Sequence, residues 1–308
     1  MTDLAPAPEL PAWLATLLPQ RRGVVRLRGG EVMHCIDQAS RASGPEQSDG
    51  PTVLLLHGNP TWCFLWRGVI ARLPGLRCVA PDLLGLGLST KISAGGHSVD
   101  RHADALAEFV ELMGLERVVL VGQDWGGALA ASLGARLPGR IAGVVLGNTS
   151  VLAPARPRGT WFHRLARVPV LSDLLFRGLG VPQVWLAPAQ GDRRSISGDV
   201  ARAYRWPLRR LADRAAPLAL ARMVPNGEDH PSMPALRRGE AWMRGFAGPI
   251  ALVWGERDPI LGRGLARHVT AFPQASVTRT QAGHFLQEEV PEALAAAIVD
   301  VVARARLG

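Results

Sequence analysis

Short apolar runs alternate along the chain with segments of helical periodicity, and this alternation predicts the fold. Four runs lie in the first half of the chain, at residues 53–56, 78–80, 118–121 and 141–146. All four are apolar on both faces, as parallel strands are when helices cover both sides of their sheet. Ser98 is placed to cap a helix that Gly114 ends, and a second helix is expected at about residues 126–137. The order of these elements predicts an open, mostly parallel α/β sheet with helices on both faces.

The same pattern extends toward both ends of the chain. Strands are expected at residues 24–27 and 31–36, and a polar loop at residues 39–50. After residue 249, predicted strands at 250–254 and 276–278 alternate with predicted helices at about 261–272 and 291–302. These elements continue the α/β domain.

The alternation stops between about residues 149 and 244. This region is rich in Arg, Pro and Trp, and around residues 200–211 Arg202, Arg205 and Arg209 have the helical spacing of a solvated face. An insertion here, after the predicted sixth strand, would cover the carboxyl ends of the strands, where open α/β sheets bind ligands. We therefore expect a main domain at residues 1–148 and 246–308 and a helical cap at residues 149–245.

Composition narrows the class of protein. Hydrophobic residues make up 47% of the 308 residues, enough for a large core. The formal net charge is +9, but acidic residues stand among the arginines along most of the chain, which favours a solvated surface over a nucleic-acid or membrane site. Cys35, Cys63 and Cys78 form no C-x-x-C pair, which argues against a disulfide framework or a zinc site. With no evident signal peptide or spanning segment, a cytoplasmic protein is expected, and a homo-oligomer is compatible with the sequence.

The strongest chemical motif is GQDWGG at residues 122–127, between a predicted strand and a predicted helix. It fits the G-x-S-x-G nucleophile elbow, with Asp124 in the place of the serine. Gly122 and Gly126 permit the sharp turn and the close approach of helix to strand. The alternative reading makes Asp124 a helix N-cap, a common position for aspartate.

Three other loops supply the partners of such a nucleophile. HGNPTW at residues 57–62 follows a strand, and in elbow hydrolases this loop gives one backbone N–H to the oxyanion hole, so the expected donors are Asn59 and Trp125. The elbow class orders its triad as nucleophile, acid and histidine, and Asp124, Asp258 and His284 meet that order.

Other candidates are weaker. Glu256 is a rival acid that sits two residues nearer the strand than Asp258, while residues 147–149 hold no carboxylate. GLGLS at residues 85–89 matches only half of a dinucleotide fingerprint, because Thr90 takes the third glycine position. Surface or packing positions are expected for the remaining histidines, His34, His97, His102, His163, His230 and His268.

Together these motifs resemble the haloalkane dehalogenases, a family of the α/β-hydrolase superfamily. The resemblance covers roughly residues 23–150 and 247–300. It rests on HGNPTW (57–62), APDLLGLGLS (80–89), GQDWGG (122–127), WGERD (254–258) and AGHFLQEE (282–289). It implies the α/β-hydrolase fold with a helical cap, and the subfamily that pairs the HGNP asparagine with an acid after the seventh strand.

The resemblance also implies a reaction, the hydrolysis of haloalkanes to alcohol and halide. In the family, the aspartate matching Asp124 attacks the halogen-bearing carbon and forms an alkyl ester. The histidine matching His284 activates the water that cleaves this ester. The residues matching Asn59 and Trp125 hold the departing halide. No metal or organic cofactor is implied.

Three alternative functions are weighed against this one. The β-lactone decarboxylases of olefin biosynthesis are similar to the same subfamily and keep the same Asp, Trp, Asn and His. Epoxide hydrolases share the aspartate and the DWGG turn but use two cap tyrosines, whereas this chain has only Tyr204. A non-catalytic binding module on this fold would not need a nucleophile, acid and base together.

Overall fold

The computed structural model describes residues 4–40 and 50–307, and in these residues nine strands form one sheet. The strands are β1 Ala5–Pro6, β2 Arg22–Arg26, β3 Val32–Gln38, β4 Thr52–Leu56, β5 Cys78–Pro81, β6 Val118–Asp124, β7 Ile141–Thr149, β8 Ile250–Gly255 and β9 Ser276–Thr280. Their order across the sheet is β1-β2-β3-β5-β4-β6-β7-β8-β9. The six strands from β5 to β9 along this order pair in parallel, and the other pairs are antiparallel. The predicted mostly parallel sheet is confirmed.

The observed strands differ from the predicted ones at their ends. β1 left no periodic signal, because it is a two-residue edge strand that ends in proline. With β1 counted, the predicted sixth and seventh strands are β7 and β8. β6 and β7 run three residues past their apolar runs, to Asp124 and Thr149. Most of the predicted loop at residues 39–50 lies outside the described residues, since 41–49 are not described.

The central strands are buried on both faces, as their composition predicts. All five residues of β4 are buried. Val53 and Leu55 pack into one hydrophobic cluster, while Leu54 and Leu56 pack into another on the opposite face. This alternation follows from the two-residue period of a strand, and it requires a helical layer on each side.

The helices are α1 Ala12–Leu17, α2 Arg67–Ala71, α3 Val99–Leu112, α4 Trp125–Arg136, α5 Trp161–Leu165, α6 Val181–Val184, α7 Gly198–Arg205, α8 Ala215–Met223, α9 Met233–Gly245, α10 Leu265–Ala271, α11 Leu286–Glu289 and α12 Pro291–Leu307. The predicted N-cap of α3 is present, because the Arg101 amide donates to Ser98 Oγ at 3.0 Å. Gly114 follows α3 with φ +61°, the left-handed conformation expected of a residue that ends a helix. No helix in the described part of the chain is long and apolar enough to cross a membrane.

Residues 150–249, here called the insertion, join β7 to β8 and contain α5 to α9. Within this described segment there is no β-strand. Its last helix, α9, packs against α4 of the sheet layer, where a Cβ atom on Gly134 would lie 2.3 Å from the Trp242 ring. Earlier parts of the insertion contact residues that follow the carboxyl ends of the strands: the His284 amide donates to the Ala189 carbonyl at 2.9 Å.

Candidate active site

A strained turn joins β6 to α4 at Asp124. Its backbone has φ 53° and ψ −127°, a conformation that is uncommon outside glycine and is typical of a nucleophile elbow. Gly126 makes the turn possible, because a Cβ atom there would lie 1.9 Å from the Leu56 carbonyl oxygen. The Asp124 side chain accepts no N-cap hydrogen bond from α4. The structure therefore has the elbow geometry rather than the N-cap.

Two backbone amides hold the Asp124 carboxylate. The Asn59 amide donates to Oδ1 at 2.8 Å, and the Trp125 amide also bonds to the carboxylate. Burial raises the pKa of Asp124, but the hydrogen bond from His284, its charge and these two amides outweigh burial and lower the pKa below its usual value. Asp124 is therefore an ionised carboxylate, and 17% of its side chain is exposed.

His284 lies between two carboxylates. Its Nδ1 is 2.8 Å from Asp258 Oδ2, and its Nε2 is 3.4 Å from Asp124 Oδ2. Burial lowers the pKa of His284, but Asp258 and Asp124 together overcome this and raise the pKa to about 10. The structure thus brings together the three residues that the sequence proposed as a triad. The Asn59 amide thus contacts Asp124 Oδ1, and His284 contacts Oδ2.

The rival acid lies elsewhere. Glu256 is exposed, and its two carboxylate oxygens accept from Arg279 at 3.1 Å and Gln281 at 2.9 Å. Asp258 is buried, and its Oδ1 accepts from the Ile260 amide at 2.7 Å.

Two polar residues that sequence reasoning missed contact the triad. Asn148, at the end of β7, donates from Nδ2 to Asp258 Oδ2 at 2.9 Å and to the Gly283 carbonyl at 2.9 Å. Gln123, on β6, donates to the His284 carbonyl at 3.0 Å, and its Nε2 lies 3.3 Å from His284 Nε2. The signal in the sequence was an amide side chain two residues beyond an apolar run, at the end of a strand where open α/β sheets bind ligands. Both amides are fully buried and therefore need hydrogen-bond partners.

The side chains of Asn59 and Trp125 are placed differently from the expectation that they point at an anion site. Trp125 Nε1 donates to the Leu220 carbonyl at 3.1 Å, and Asn59 Nδ2 donates to the Pro217 carbonyl at 3.0 Å. Both acceptors belong to α8 of the insertion. Buried N–H groups need acceptors, and the Leu220 carbonyl is one of the last four of its helix, which lack intrahelical partners.

A cavity of about 690 Å³ opens onto the Asp124 and His284 side chains. Its wall is largely apolar and includes Leu152, Phe162, Leu186 and Leu261. His163 also lines it, which differs from the surface or packing role expected from the sequence. The Thr160 amide donates to His163 Nδ1 at 3.1 Å, which places the ring proton of the neutral imidazole on Nε2.

A buried cluster outside this cavity has the composition of a metal site. His34, Cys63 and Asp82 offer ligand atoms within 4.8 Å of one another. The Asp82 carboxylate already bonds to the Cys63 amide at 2.7 Å, the Leu88 amide at 2.8 Å and His34 Nδ1 at 2.8 Å. These contacts occupy the oxygen atoms that a metal would need, so the cluster is accounted for by the packing of β3 against the loop after β5.

Comparison with known proteins places the chain in a family. A family model of the α/β hydrolase fold matches residues 51–291. Haloalkane dehalogenase 2 of Mycobacterium tuberculosis is 35% identical over 265 residues, which cover 83% of this chain and 89% of that protein. A haloalkane dehalogenase of Mycobacterium marinum is 32% identical over 274 residues, or 87% of each chain. The chain belongs to the haloalkane dehalogenase family.

The solved structures agree with this assignment. Haloalkane dehalogenase DbeA from Bradyrhizobium elkani is similar with a TM-score of 0.81 and 28% identity, covering 93% of this chain and 99% of that one.

The one tyrosine of the present haloalkane dehalogenase does not line the cavity. This residue, Tyr204, is fully buried and donates its hydroxyl to Glu288. It is therefore not available to protonate an epoxide oxygen, which removes support for the epoxide hydrolase alternative.

Proposed function

We propose that this protein hydrolyses haloalkanes with Asp124 as nucleophile, His284 as base and Asp258 as the acid that orients the base. The observation that carries the proposal is the arrangement at Asp124: the Asn59 amide donates to Oδ1, His284 contacts Oδ2, and the residue lines the cavity. Oδ2 attacks the sp³ carbon in line with the halogen. The C–O bond forms, the carbon–halogen bond breaks, and an alkyl ester and a halide result.

The second step is hydrolysis of this ester. Esterification removes the charge of Asp124, one of the two carboxylates that raise the pKa of His284. The pKa of His284 therefore falls in the intermediate, and the imidazole becomes able to take a proton from water. Water attacks the carbonyl carbon of the Asp124 ester, and the backbone amides of Asn59 and Trp125 stabilise the resulting oxyanion. Each such donor contributes about 3–4 kcal/mol in comparable sites.

We further propose that Trp125 Nε1–H and Asn59 Nδ2–H bind the departing halide. Both N–H groups donate to carbonyls of α8, so each must break that hydrogen bond before it can bind the halide. The two acceptors, Pro217 and Leu220, are three residues apart on α8 and therefore lie on one face of the helix. One displacement of α8 frees both donors at once.

The substrates expected are short to medium primary bromo- and iodoalkanes, with chloroalkanes slower, because bromide and iodide leave more readily.

We propose residues 149–245 as the cap, since this segment supplies much of the cavity wall. A cytoplasmic location is also proposed, supported by three buried free cysteines. Fractionation of the native cells tests the location.

The decisive experiment pairs activity with mass analysis. Wild-type protein should release bromide from 1-bromobutane and 1,2-dibromoethane and leave a β-lactone intact. His284→Phe should accumulate an alkyl adduct on the peptide that contains Asp124. Gas release from the β-lactone would favour the decarboxylase instead. Turnover of neither substrate, with no adduct, would favour the binding module.

A further inference from the structure

The formal net charge of the protein is concentrated in the insertion. Residues 150–249 hold sixteen arginines and seven acidic residues, while the rest of the chain holds nineteen basic and nineteen acidic residues. The whole excess of +9 therefore belongs to the segment that covers the cavity. A cleft bordered by one sign of charge attracts ligands of the opposite sign.

Three arginines of the insertion line the cavity, and all three are exposed to solvent: Arg156, Arg158 and Arg193. Among the residues that the structure describes, none of the three forms an ion pair or a side-chain hydrogen bond. Other arginines of the insertion are paired, such as Arg237 with Glu228 and Arg244 with Glu240.

The rest of the cavity offers these arginines no counter-charge. Asp124 is the one acidic side chain among the described residues of its lining. Trp161 and Trp185, which lie in edge contact at 5.6 Å, add an apolar surface to the same wall. The cavity therefore combines an apolar path to Asp124 with guanidinium groups that lack an anion. Guanidinium groups bind carboxylates through paired N–H donors, so these arginines offer a carboxylate its preferred partner.

We propose that the cavity accepts halogenated aliphatic acids, with the carbon–halogen bond at Asp124 and the carboxylate at Arg156, Arg158 and Arg193. This inference rests on the proposed dehalogenation. A bromoalkanoate and water give a hydroxyalkanoate, bromide and a proton. The carbon–bromine bond breaks, the new C–O bond carries oxygen from Asp124, and water restores that oxygen while His284 passes its proton to solvent.

The test compares ω-bromoalkanoates of increasing chain length with neutral bromoalkanols of the same length. One chain length should give a kcat/KM at least about tenfold above its neutral partner, mostly through KM. The preference should shrink as salt is raised from about 0.05 to 0.5 M, since ions screen charges at a cavity mouth. No preference for the acid at any length would overturn the inference.

Matched variants separate local from general charge effects. Arg156→Gln/Arg158→Gln/Arg193→Gln should abolish the preference by raising KM for the bromoalkanoate far more than KM for the bromoalkanol. Arg205→Gln/Arg209→Gln/Arg210→Gln removes equal charge from exposed arginines of the insertion that do not line the cavity, and it should keep the preference. Equal loss of preference in both triple variants would contradict the inference.

A binding measurement separates this inference from the proposed function. Calorimetry with 8-hydroxyoctanoate and 1,8-octanediol needs no turnover. Tighter binding of the acid to the wild type, lost in the cavity triple variant, supports an anion subsite even if no bromide is released from any substrate. Bromide release from bromoalkanols without any such difference overturns the subsite and leaves the dehalogenase function intact.

Discussion

The indole N–H of Trp125 donates to the carbonyl oxygen of Leu220 at 3.1 Å, so a backbone group of the insertion occupies a donor that the proposed reaction needs for halide. The Asn59 side-chain amide likewise donates to the Pro217 carbonyl, one turn away on the same helix. The proposed halide binding and the position of α8 would thereby be coupled, because a single set of donors would serve both.

This coupling predicts that bromide loosens α8. Saturating bromide should speed amide hydrogen exchange in residues 215–223 severalfold, since each lost hydrogen bond contributes about 0.5–1.5 kcal/mol. Hydrogen-exchange mass spectrometry measures the effect, with sulfate at equal ionic strength as control. The response should be smaller in Trp125→Phe, which retains only the Asn59 donor. Bromide that binds to the wild type without changing exchange in α8 would show that the donors reach the halide in another way.

The choice of acid gives a second prediction. Asp258→Asn removes the charge behind His284 and should slow ester hydrolysis by about 10³–10⁴-fold, the order seen when a triad acid is neutralised. The alkyl adduct on Asp124 should accumulate in this variant. Glu256→Gln is the matched control, because Glu256 is exposed and bonds to Arg279 and Gln281 instead. Single-turnover kinetics of both variants decide between the two acids, and a larger defect in Glu256→Gln would refute the assignment.

Stability should depend on the titration of His284. The pKa of this residue is raised from its ordinary 6.5 to about 10 in the folded protein. A raised folded-state pKa means that the contribution to stability is complete below pH 6.5 and is lost as the pH rises through about 10. The Tm of the wild type should therefore fall more steeply between these pH values than the Tm of His284→Phe. Parallel Tm profiles would contradict this ionisation.

The sequence pattern could predict the parallel sheet and the triad because both leave local signals. The runs that form β4, β6 and β8 are apolar on both faces. Asp124 lies between Gly122 and Gly126, and the turn requires both of these positions to lack a Cβ atom. The partners of Asn59 and Trp125 could not be predicted in this way. They are backbone carbonyls of α8, and any residue type provides a carbonyl.

Docking of the insertion onto the main domain depends on Glu288. Its carboxylate accepts from Arg67 at 2.9 Å and from the Tyr204 hydroxyl, and all three side chains are largely buried. Glu288→Gln leaves the Arg67 charge buried without a counter-charge and should lower the free energy of unfolding by about 3–5 kcal/mol. Urea unfolding measures this loss. Glu292→Gln, which affects an exposed pair with Arg72, should change it little. Equal effects would mean that burial of the Glu288 pair is not decisive.

Asn148 shows how a residue without a charge can support the acid. It stands at the end of β7, a position where the sequence offers no carboxylate, and its amide donates to Asp258 Oδ2, the oxygen that also contacts His284 Nδ1. Its Oδ1 accepts from the Gly255 amide at 2.8 Å, so the side chain joins β7 to the end of β8. Asn148 is thus a positioning residue that acts through Asp258.

Asn148→Ala should therefore affect the second chemical step more than the first. Loss of a hydrogen bond to a charged group costs about 1.5–3 kcal/mol, which corresponds to about a 10- to 150-fold slower ester hydrolysis. The alkyl adduct should build up, while the burst of bromide that accompanies its formation keeps close to the wild-type rate. A purely structural role would lower Tm and slow the burst and the ester hydrolysis alike. Rapid-quench kinetics, which measures the two steps separately, distinguishes the two.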